Sequence, residues 1–218
     1  MTERTQITRL REYGSTDRAA LDRLLADVRV GHFGLTDDTG RPVVIPTAVA
    51  PDGDRVLAHG STGSRWMRQL AAGAETCLAV TTLDGLAVAR TAFESSLHYR
   101  SAVLFGRCTA LAGEDKAAAL DVITEALLPG RTAEIRPANR RELQATLVLA
   151  LPITEWSLKA FDGWTEDGDD DLAGPAWAGV VPMVTGYGSP RPAPDLRTGI
   201  EVPPSVTRLV RRDPGQAR

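Results

Sequence analysis

Residues 30–60 read VGHFGLTDDTGRPVVIPTAVAPDGDRVLAHG and contain three apolar runs separated by two turn signals. The runs VGHFGLT, VVIPTAVA and RVLAHG have the alternating or β-branched pattern of strands, whereas DDTGRP and PDGD favour tight turns. Strands joined by such short turns run antiparallel, because a parallel pair needs a crossover of about a dozen residues or more. This stretch therefore predicts a meander of antiparallel strands.

The segments on either side extend the meander and add helices. Upstream, apolar residues at helical spacing predict an amphipathic helix that Ser15 or Thr16 can cap; these residues are Ala20, Leu21, Leu24, Leu25 and Val28. Downstream, TCLAVTTLDGLAVART predicts two strands around Asp84–Gly85, and YRSAVLFGRCTAL predicts one long strand. Two helical segments, EDKAAALDVITEALLPG and ANRRELQAT, precede strands in LVLALPI and EWSLKAF, and WAGVVPM is the last strand-like stretch. The chain is thus mainly β with helices (α+β), and its hairpins favour a small antiparallel barrel over a doubly wound sheet.

The composition is that of an ordinary globular protein. The 218 residues are 43% hydrophobic and 24% charged, and the formal net charge is -3. That balance gives no electrostatic case for a nucleic-acid partner. Neither a bilayer-length apolar run nor a signal peptide is present, so we expect no membrane partner and a cytoplasmic location. Cys77 and Cys108 have no metal spacing and are expected to be small buried strand residues.

The stretch LAHGSTGSRWMRQL, residues 57–70, places glycine and hydroxyl residues between a strand and a helix-like pattern. Backbone N–H groups at a helix start attract anions, and glycine lets an anion approach the backbone closely. Arg65 can bind phosphate oxygens in bidentate fashion, and Arg68 follows about one turn later on a similar face. A plain loop with a helix N-cap explains the same residues equally well. The stretch by itself leaves both alternatives open.

The histidines and the acidic segment predict little chemistry. His32 and His59 lie in strand patterns and are expected to be satisfied core histidines. His98 stands at a strand entrance beside Tyr99, Arg100 and Ser101. Successive strand residues face opposite ways, so at most one of Arg100 and Ser101 lines a given pocket. The segment EDGDDD lacks the ligand pattern of a calcium loop and is expected to be solvated.

Known enzyme motifs are missing as well. The sequence has no nucleophile elbow, no zinc-protease motif and no defensible pair of carboxylates for acid–base work. No catalytic residue and no metal site is therefore predicted. If the protein is an enzyme, a bound cofactor supplies the chemistry.

The order of the motifs resembles that of a known family. HFGLTDDTGRPVVIPTAVAPDGDRVLAHGSTGSRWMRQL, HYRSAVLFGR, WSLKAF and WAGVVPM together resemble the FMN-binding split β-barrel proteins. These include pyridoxamine 5'-phosphate oxidase and, closer to this sequence, the nitroimidazole-resistance-like flavoproteins. The similarity covers residues 17–183.

The resemblance implies a six-stranded antiparallel Greek-key split barrel and a homodimer with two FMN molecules at the subunit interface. On that basis we expect a flexible arm over residues 1–14, a flavin-binding domain over residues 15–183 and a Pro- and Gly-rich extension over residues 184–218. The implied cofactor-binding residues fall into four groups. Backbone groups facing the isoalloxazine edge come from Val44, Ile45, Pro46 and Thr47. The phosphate site and its surroundings comprise His59, Ser61, Thr62, Ser64, Arg65 and Arg68. A neighbouring strand adds Tyr99, Arg100 and Ser101, and the partner subunit adds Lys159 and Trp177.

Two departures from the oxidase pattern limit what the resemblance implies. The oxidase has a lysine directly after the Ser-Arg pair of its phosphate loop, and here that position is Trp66, so Arg68 is the candidate replacement for the charge. The C-terminal Arg and His with which the oxidase recognises pyridoxal phosphate are not found. Oxidation of vitamin B6 is therefore not the expected activity.

Three functions remain open from the sequence. The first is an FMN-dependent oxidoreductase that passes electrons from a reduced nicotinamide or similar small donor to a small acceptor, with His98 or Tyr99 as the only candidates for proton delivery. The second is a non-catalytic flavin carrier or sensor. The third is a split barrel that uses F420 or haem, for which His32, His59 or His98 could supply the axial ligand.

Overall fold

The computed structural model of the protein describes residues 3–211. Within that range the strands are β1 (Gly14–Ser15), β2 (Val30–Thr36), β3 (Pro42–Asp52), β4 (Arg55–Ser61), β5 (Glu75–Val88), β6 (Ser96–Arg107), β7 (Thr109–Ala110), β8 (Thr146–Pro152), β9 (Glu155–Phe161) and β10 (Gly179–Pro182). The helices are α1 (Arg18–Asp27), α2 (Arg65–Ala71), α3 (Gly113–Leu127), α4 (Arg140–Ala145), α5 (Asp169–Leu172) and α6 (Pro204–Arg211). In this part of the chain, every helix is too short or too polar to cross a membrane.

The strands form one antiparallel sheet in the order β1-β9-β6-β5-β2-β3-β4-β8-β7, and β10 pairs with β5. The meander predicted over residues 30–60 is confirmed as β2, β3 and β4, which pair in sequence order. The α+β split-barrel class is confirmed too. The strand count differs from six: residues 3–211 contain seven strands of seven residues or more, and the short strands β1, β7 and β10 are added to them.

The segment predicted as two strands around Asp84–Gly85 is instead the single strand β5. A bulge between Leu83 and Gly85 takes up the irregularity while pairing with β6 continues on both sides. A Cβ at Gly85 would lie 2.9 Å from Val181 O, so only glycine fits where β10 approaches. The Asp-Gly pair therefore marks a bulge and a close backbone approach rather than a turn.

Helix α1 is confirmed, but its cap is neither Ser15 nor Thr16. The side chain of Asp17 accepts a 2.9 Å hydrogen bond from the N–H of Ala19 and so satisfies a free donor of the first turn. Ser15 lies two residues before this N-cap, and its Oγ accepts from the N–H of Asp17. Leu21, Leu24 and Leu25 form the buried face of the helix.

Two apolar clusters hold the fold together. The larger lies inside the curled sheet and is closed by α1 and α2; it includes Phe33, Met67, Leu78, Leu104 and Leu149. The smaller lies between α3 and the opposite face of β3, β4 and β8; its buried members are Ala50, Leu57, Ala119, Ile123, Val148 and Ala150. Cys108 is buried as expected, whereas Cys77 is only half-buried because its position in β5 faces away from the barrel interior.

Both ends of the described chain are attached to the domain. In the arm, the Arg4 guanidinium pairs with Glu75 and Glu155. At the other end, residues 184–202 are exposed throughout, and α6 then docks through Ser205, whose N–H and hydroxyl both donate to Glu134. The three-part division of the chain stays a prediction.

Candidate functional site

Strands β3 and β4 separate part of the way along, and this separation forms the candidate site. Their pairing ends at Val49 opposite Ala58. Beyond that point β3 continues with β2 as far as Pro42, and β4 continues with β8 as far as Ser61. We call the opening between residues 42–48 of β3 and residues 59–61 of β4 the split crevice.

The split crevice exposes backbone hydrogen-bonding groups along β3. Val49 donates its N–H to Arg29 O at 3.2 Å. Because every second residue of an antiparallel strand bonds to the same neighbouring strand, this bond determines which residues of β3 bond to β2. The N–H and C=O groups of Thr47 and Ile45 are then directed at β2, and those of Pro46 and Val44 face the split crevice. Proline has no N–H to leave unsatisfied there. Of the four predicted residues of β3, only Val44 and Pro46 can therefore present backbone groups to a ligand in the split crevice.

The same alternation runs along β4. Thr62 donates its N–H to Ala145 O at 3.0 Å, so the backbone groups of Gly60 pair with β8 and those of His59 and Ser61 face the split crevice. Both edges of the split crevice thus carry backbone groups that β2 and β8 do not use. A planar heterocycle with donors and acceptors on its rim can bind to such edges.

The turn from Ser61 to Arg65 closes one end of the split crevice. Ser61 organises it, because its Oγ accepts from the N–H of Gly63 at 3.1 Å and its carbonyl accepts from the N–H of Ser64 at 2.9 Å. Since the N–H of Thr62 is bonded to Ala145 O, the backbone N–H groups of Thr62, Gly63 and Ser64 are all paired within the protein and are not free to bind an anion. An anion would meet hydroxyl groups and the first turn of α2, where Ser64 makes no side-chain capping bond.

Arg65 and Arg68 provide the positive charge beside the turn. The Arg65 guanidinium donates to Asp38 Oδ2 at 2.9 and 3.2 Å, and this exposed pair raises the pKa of Arg65. Arg68 is exposed. Trp66 packs on Phe33, with ring centroids 5.8 Å apart, so the position of the oxidase lysine is used here for the core. The charge at this turn is therefore carried by the two arginines.

Helix α2 is anchored under the turn. Met67 and Leu70 are fully buried in the barrel core. Gln69 donates its side-chain N–H to Thr36 O, which links the helix to the β2–β3 hairpin. The helix thus covers the split crevice from the barrel side, while Val44 of β3 and Ser61 of β4 are exposed.

The cluster at the start of β6 divides between two faces, as its alternation predicts. Ser101 lies opposite Lys159 of β9 and opposite Thr81 of β5, on the outer face of the sheet. Tyr99 shares that face, where partial burial raises the pKa of its phenol. Lys159 donates to Arg9 O at 3.3 Å.

Arg100 does not share the face of Tyr99 and Ser101. Its guanidinium donates to both oxygens of Asp84, at 2.9 and 3.0 Å, and to Asp27 at 2.6 Å. These bonds raise the pKa of Arg100 and fix the end of α1 to the bulge of β5. With its donors committed to two carboxylates, Arg100 is a structural residue in this chain rather than a residue of the split crevice.

The three histidines differ in environment. His98 is buried, with its Nε2 2.8 Å from Gly163 O and its ring edge-on to Phe161. His32 is exposed on the outer face of the sheet, so the expectation of a core histidine was wrong for it. His59 is half-buried, and its Nδ1 is enclosed without any hydrogen-bond partner among residues 3–211, so it is not a satisfied core histidine either.

Trp177 and the acidic segment lie near the end of β5. Trp177 is 64% exposed and packs beside Gly179 at the start of β10. The acidic segment is only partly solvated: α5 is exposed, but the Asp167 side chain is 1% exposed and accepts from the N–H and the guanidinium of Arg90, at 2.8 and 3.0 Å. No cluster of metal-ligating side chains occurs among the residues that the structure describes.

Sequence reasoning missed Asp38 and the Asp27–Arg100–Asp84 cluster. Asp38 lies in a hairpin turn 27 residues before Arg65, and Asp27 is 73 residues from Arg100. No local sequence pattern predicts ion pairs between residues so far apart in the chain. The one usable signal was the alternation of side-chain direction along β6. It predicts that Arg100 and Ser101 lie on opposite faces of the sheet and cannot belong to the same site.

Comparison with known proteins agrees with this architecture. The family model described as pyridoxamine 5'-phosphate oxidase matches residues 17–160, whereas no curated protein matches significantly. Among solved structures, the FAD and heme binding protein from Mycobacterium smegmatis is 48% identical, with a TM-score of 0.88 over 91% of this chain and 97% of that chain. The flavocytochrome Anf3 from Azotobacter vinelandii is 32% identical, with a TM-score of 0.88 over 95% of this chain and 97% of that chain.

A third similarity concerns the fold alone. A putative 5-nitroimidazole antibiotic resistance protein from Bacteroides thetaiotaomicron is 18% identical, with a TM-score of 0.57 over 67% of this chain and 85% of that chain. The resemblance carried by the hairpins, the Ser61–Arg65 turn and the later strands is confirmed. This chain belongs to the pyridoxamine 5'-phosphate oxidase family.

Proposed function

We propose that the protein is a flavin-binding redox protein with its flavin in the split crevice. The observation that carries the proposal is the opening between β3 and β4, which leaves the backbone groups of Val44, Pro46 and His59 directed into it. The rim of an isoalloxazine ring has alternating donors and acceptors that such edges can bind. Ser61, Ser64 and Arg65 then stand at the end where the phosphate lies.

The flavin that we propose is FAD. The resemblance by itself implies FMN, and nothing in the chain excludes it. However, the 48% identical relative, which aligns over nearly its whole length, is described as an FAD and heme binding protein. FAD carries a second phosphate and an adenosine beyond the FMN portion, and the exposed Arg68 beside Arg65 offers a second cation for that diphosphate.

A second copy of the chain completes the proposed site. The outer face of the sheet exposes apolar side chains: Val44 on β3 is 64% exposed, Val30 on β2 is 49% exposed, and Leu83 farther away on β5 is 47% exposed. Burying such a face favours association, because it removes apolar surface from water. The homodimer implied by the family covers this face and brings Lys159 and Trp177 of the partner to the flavin.

The proposed activity is electron transfer from a reduced nicotinamide or a similar small donor to a small acceptor. The bound flavin supplies the hydride and electron chemistry, and the protein positions the ring and excludes water. Tyr99 faces the outer side of the sheet and can hold a proton there, since the pKa of its phenol is raised by burial. His98 is buried away from the split crevice, where its Nε2–H donates to Gly163 O. A flavin carrier without turnover remains the alternative.

Haem is the second candidate ligand. It is favoured by two structures, the Mycobacterium smegmatis protein and the flavocytochrome, whose descriptions include haem. In the chain itself, His59 borders the split crevice, and its Nδ1 has no hydrogen-bond partner among residues 3–211. FAD and haem are therefore proposed together, in place of FMN alone.

The test begins with the absorption spectrum of the purified wild-type protein. Flavin bands and a Soret band are expected, and chromatography of the denatured sample identifies FAD or FMN. The double variant Arg65→Ala and Arg68→Ala should lose flavin at least about tenfold, since each charge-assisted bond contributes about 1.5–3 kcal/mol. Arg23→Ala is the matched control, because Arg23 also forms an exposed ion pair, 3.5 Å from Asp17 on α1.

Unchanged flavin content in the double variant would place the phosphate elsewhere. A second measurement separates enzyme from carrier: stopped-flow mixing of the holoprotein with NADH or NADPH. Bleaching of the flavin bands supports the oxidoreductase. Absence of bleaching with both donors supports the carrier.

A further inference from the structure

We infer that a cavity between the start of the chain and strand β9 binds an aromatic carboxylate. This arm–β9 cavity has a volume of about 610 Å³ and is lined by residues between 5 and 16 and by residues 154–158. Small-molecule sites have volumes of roughly 300–1,000 Å³. In the sheet, β6, β5 and β2 lie between β9 and β3, so the arm–β9 cavity is a different site from the split crevice. The inference therefore goes beyond the proposed flavin function and does not depend on it.

The cavity forms because the arm is attached to β9 at two separate places. Strand β1 pairs with only two residues of β9, Leu158 and Lys159. The beginning of the arm is held near the other end of β9, where the Arg4 guanidinium pairs with Glu155. Between these two attachments, the arm and the edge of β9 around Trp156 enclose the cavity.

Trp156 and Ile7 give the arm–β9 cavity an apolar wall. Trp156 is half-buried, packs against the larger core cluster and also lines the cavity. Ile7 packs so closely on the backbone of Gly14 that a Cβ there would lie 2.9 Å from Ile7 Cδ1. An indole ring is a large, flat apolar surface that pairs favourably with another aromatic ring. This wall therefore favours a ligand with a flat aromatic body.

Arg11 gives the cavity a positive charge that the protein does not neutralise. Arg11 lines the cavity, and no carboxylate among residues 3–211 pairs with its guanidinium. Glu155 is the acidic residue among the described lining residues, and it is neutralised by its ion pair with Arg4. A guanidinium binds a carboxylate through two parallel hydrogen bonds. The charge of the cavity therefore complements an anionic ligand.

The backbone around Arg11 is held in a defined conformation. Arg11 begins a single 3-10 turn, and Leu10 directly before it has a φ of 53°. The left-handed conformation is unfavourable for leucine and persists only where the surrounding structure imposes it. Here the end of the turn is fixed to β9, because the Tyr13 ring packs on Phe161 with the centroids 4.7 Å apart. The turn thus holds Arg11 beside the cavity.

These features together specify the class of ligand. The aromatic body lies against Trp156 and Ile7, and the carboxylate pairs with Arg11. Ser15 adds a donor, because its Oγ accepts from the N–H of Asp17 at 3.1 Å and its own O–H can bond to a ligand. A phosphate ester fits less well, since Arg11 is the only cation among the described residues that line the cavity and the wall opposite is apolar.

The test measures binding of two probes, 2-naphthoate and its neutral analogue 2-naphthamide, to the full-length protein by isothermal titration calorimetry. We expect one saturable naphthoate site per chain. The amide should bind about tenfold more weakly, because it lacks the charge-assisted bonds to Arg11. The flavin absorbance is recorded on the same samples, so failure of this inference is distinguished from failure of the proposed function.

Three variants locate the site. Arg11→Gln should weaken naphthoate binding about tenfold and leave naphthamide binding unchanged, which also shows that the cavity is intact. Arg9→Gln is the matched control, because Arg9 is an exposed arginine of the same arm that does not line the cavity; it should bind both probes as the wild type does. Ile7→Ala should weaken both probes severalfold, since the lost apolar contact does not depend on charge.

A preference for the acid over the amide that is lost only in Arg11→Gln supports the inference. Four results would overturn it: no saturable naphthoate binding to the wild type, equal affinity for acid and amide, unchanged naphthoate binding in Arg11→Gln, or unchanged binding of both probes in Ile7→Ala. Equal losses in the two arginine variants would indicate attraction by net charge rather than a site, and would overturn it as well. Each result has the same meaning whether or not the protein carries flavin.

Discussion

Substituting Gly60 with alanine tests how α2 is held under the Ser61–Arg65 turn. A Cβ at Gly60 would lie 2.5 Å from Met67 Sδ, whereas non-bonded heavy atoms are at their optimum about 3.5–4 Å apart. Met67 is fully buried in the barrel core, so it has no free space into which to move. Overpacking of this kind costs about 1–3 kcal/mol of unfolding free energy.

The double variant with Met67→Ala isolates that contact. Met67→Ala alone should cost about 2–5 kcal/mol, because it leaves a cavity in the core. In the double variant the added methyl group meets no sulfur and partly fills the cavity. The two losses should therefore not add: the double variant should be more stable than the sum of the single losses predicts, by about 1–3 kcal/mol.

Urea unfolding followed by circular dichroism gives the unfolding free energy of the wild type, the two single variants and the double variant. Gly188→Ala is the control, since a Cβ there meets nothing within 4 Å, and its unfolding free energy should change little. Flavin retention is measured alongside, because a displaced α2 also moves Arg65. Additive losses, or a Gly60→Ala variant as stable as the wild type, would refute the packing of α2 described above.

Three further predictions follow from other contacts. Arg100→Gln should lower the unfolding free energy by about 1–3 kcal/mol in urea titrations, because it removes charge-assisted bonds to Asp84 and Asp27; an unchanged midpoint would contradict the structural role of Arg100. The hydrogen bonds from Ser205 lower the pKa of Glu134, so docking of α6 is stabilised above about pH 4.5 and weakens as the pH falls through the lowered value. Limited proteolysis should then cut before α6 faster in acid, and in Glu134→Gln at neutral pH; equal cutting rates would exclude this contact as the attachment. Burial raises the pKa of Cys108 to about 12, so an alkylating reagent should modify Cys77 in native protein and Cys108 only after unfolding, as checked by mass spectrometry; early labelling of Cys108 would show that the barrel opens locally.

The sequence predicts the fold well because its signals are local. Two tight turns between apolar runs determine the β2–β3–β4 meander, and helical spacing of leucines determines α1. What it could not predict depends on distant partners. The Asp-Gly pair in β5 is a bulge only because Val181 approaches it from a strand about a hundred residues later in the chain.

The candidate site was predictable as a set of residues but not as a geometry. Composition and motif order identify Ser61 to Arg65 as the turn, yet the internal use of its amides depends on Ala145 and on Ser61 itself. Whether Ile45 or Val44 faces the split crevice depends on the phase of the ladder with β2, which residue types do not reveal. The absence of a hydrogen-bond partner for Nδ1 of His59 among residues 3–211 likewise depends on how the chain folds and cannot be predicted from residue types.

A crystal structure of the protein with FAD bound tests the central claim most directly. The account predicts electron density for the isoalloxazine ring along the β3 edge at Val44 and Pro46, with the diphosphate beside Ser61, Ser64 and Arg65. Density for FAD at any other surface, or strands β3 and β4 paired through to Ser61 with no opening between them, would contradict it.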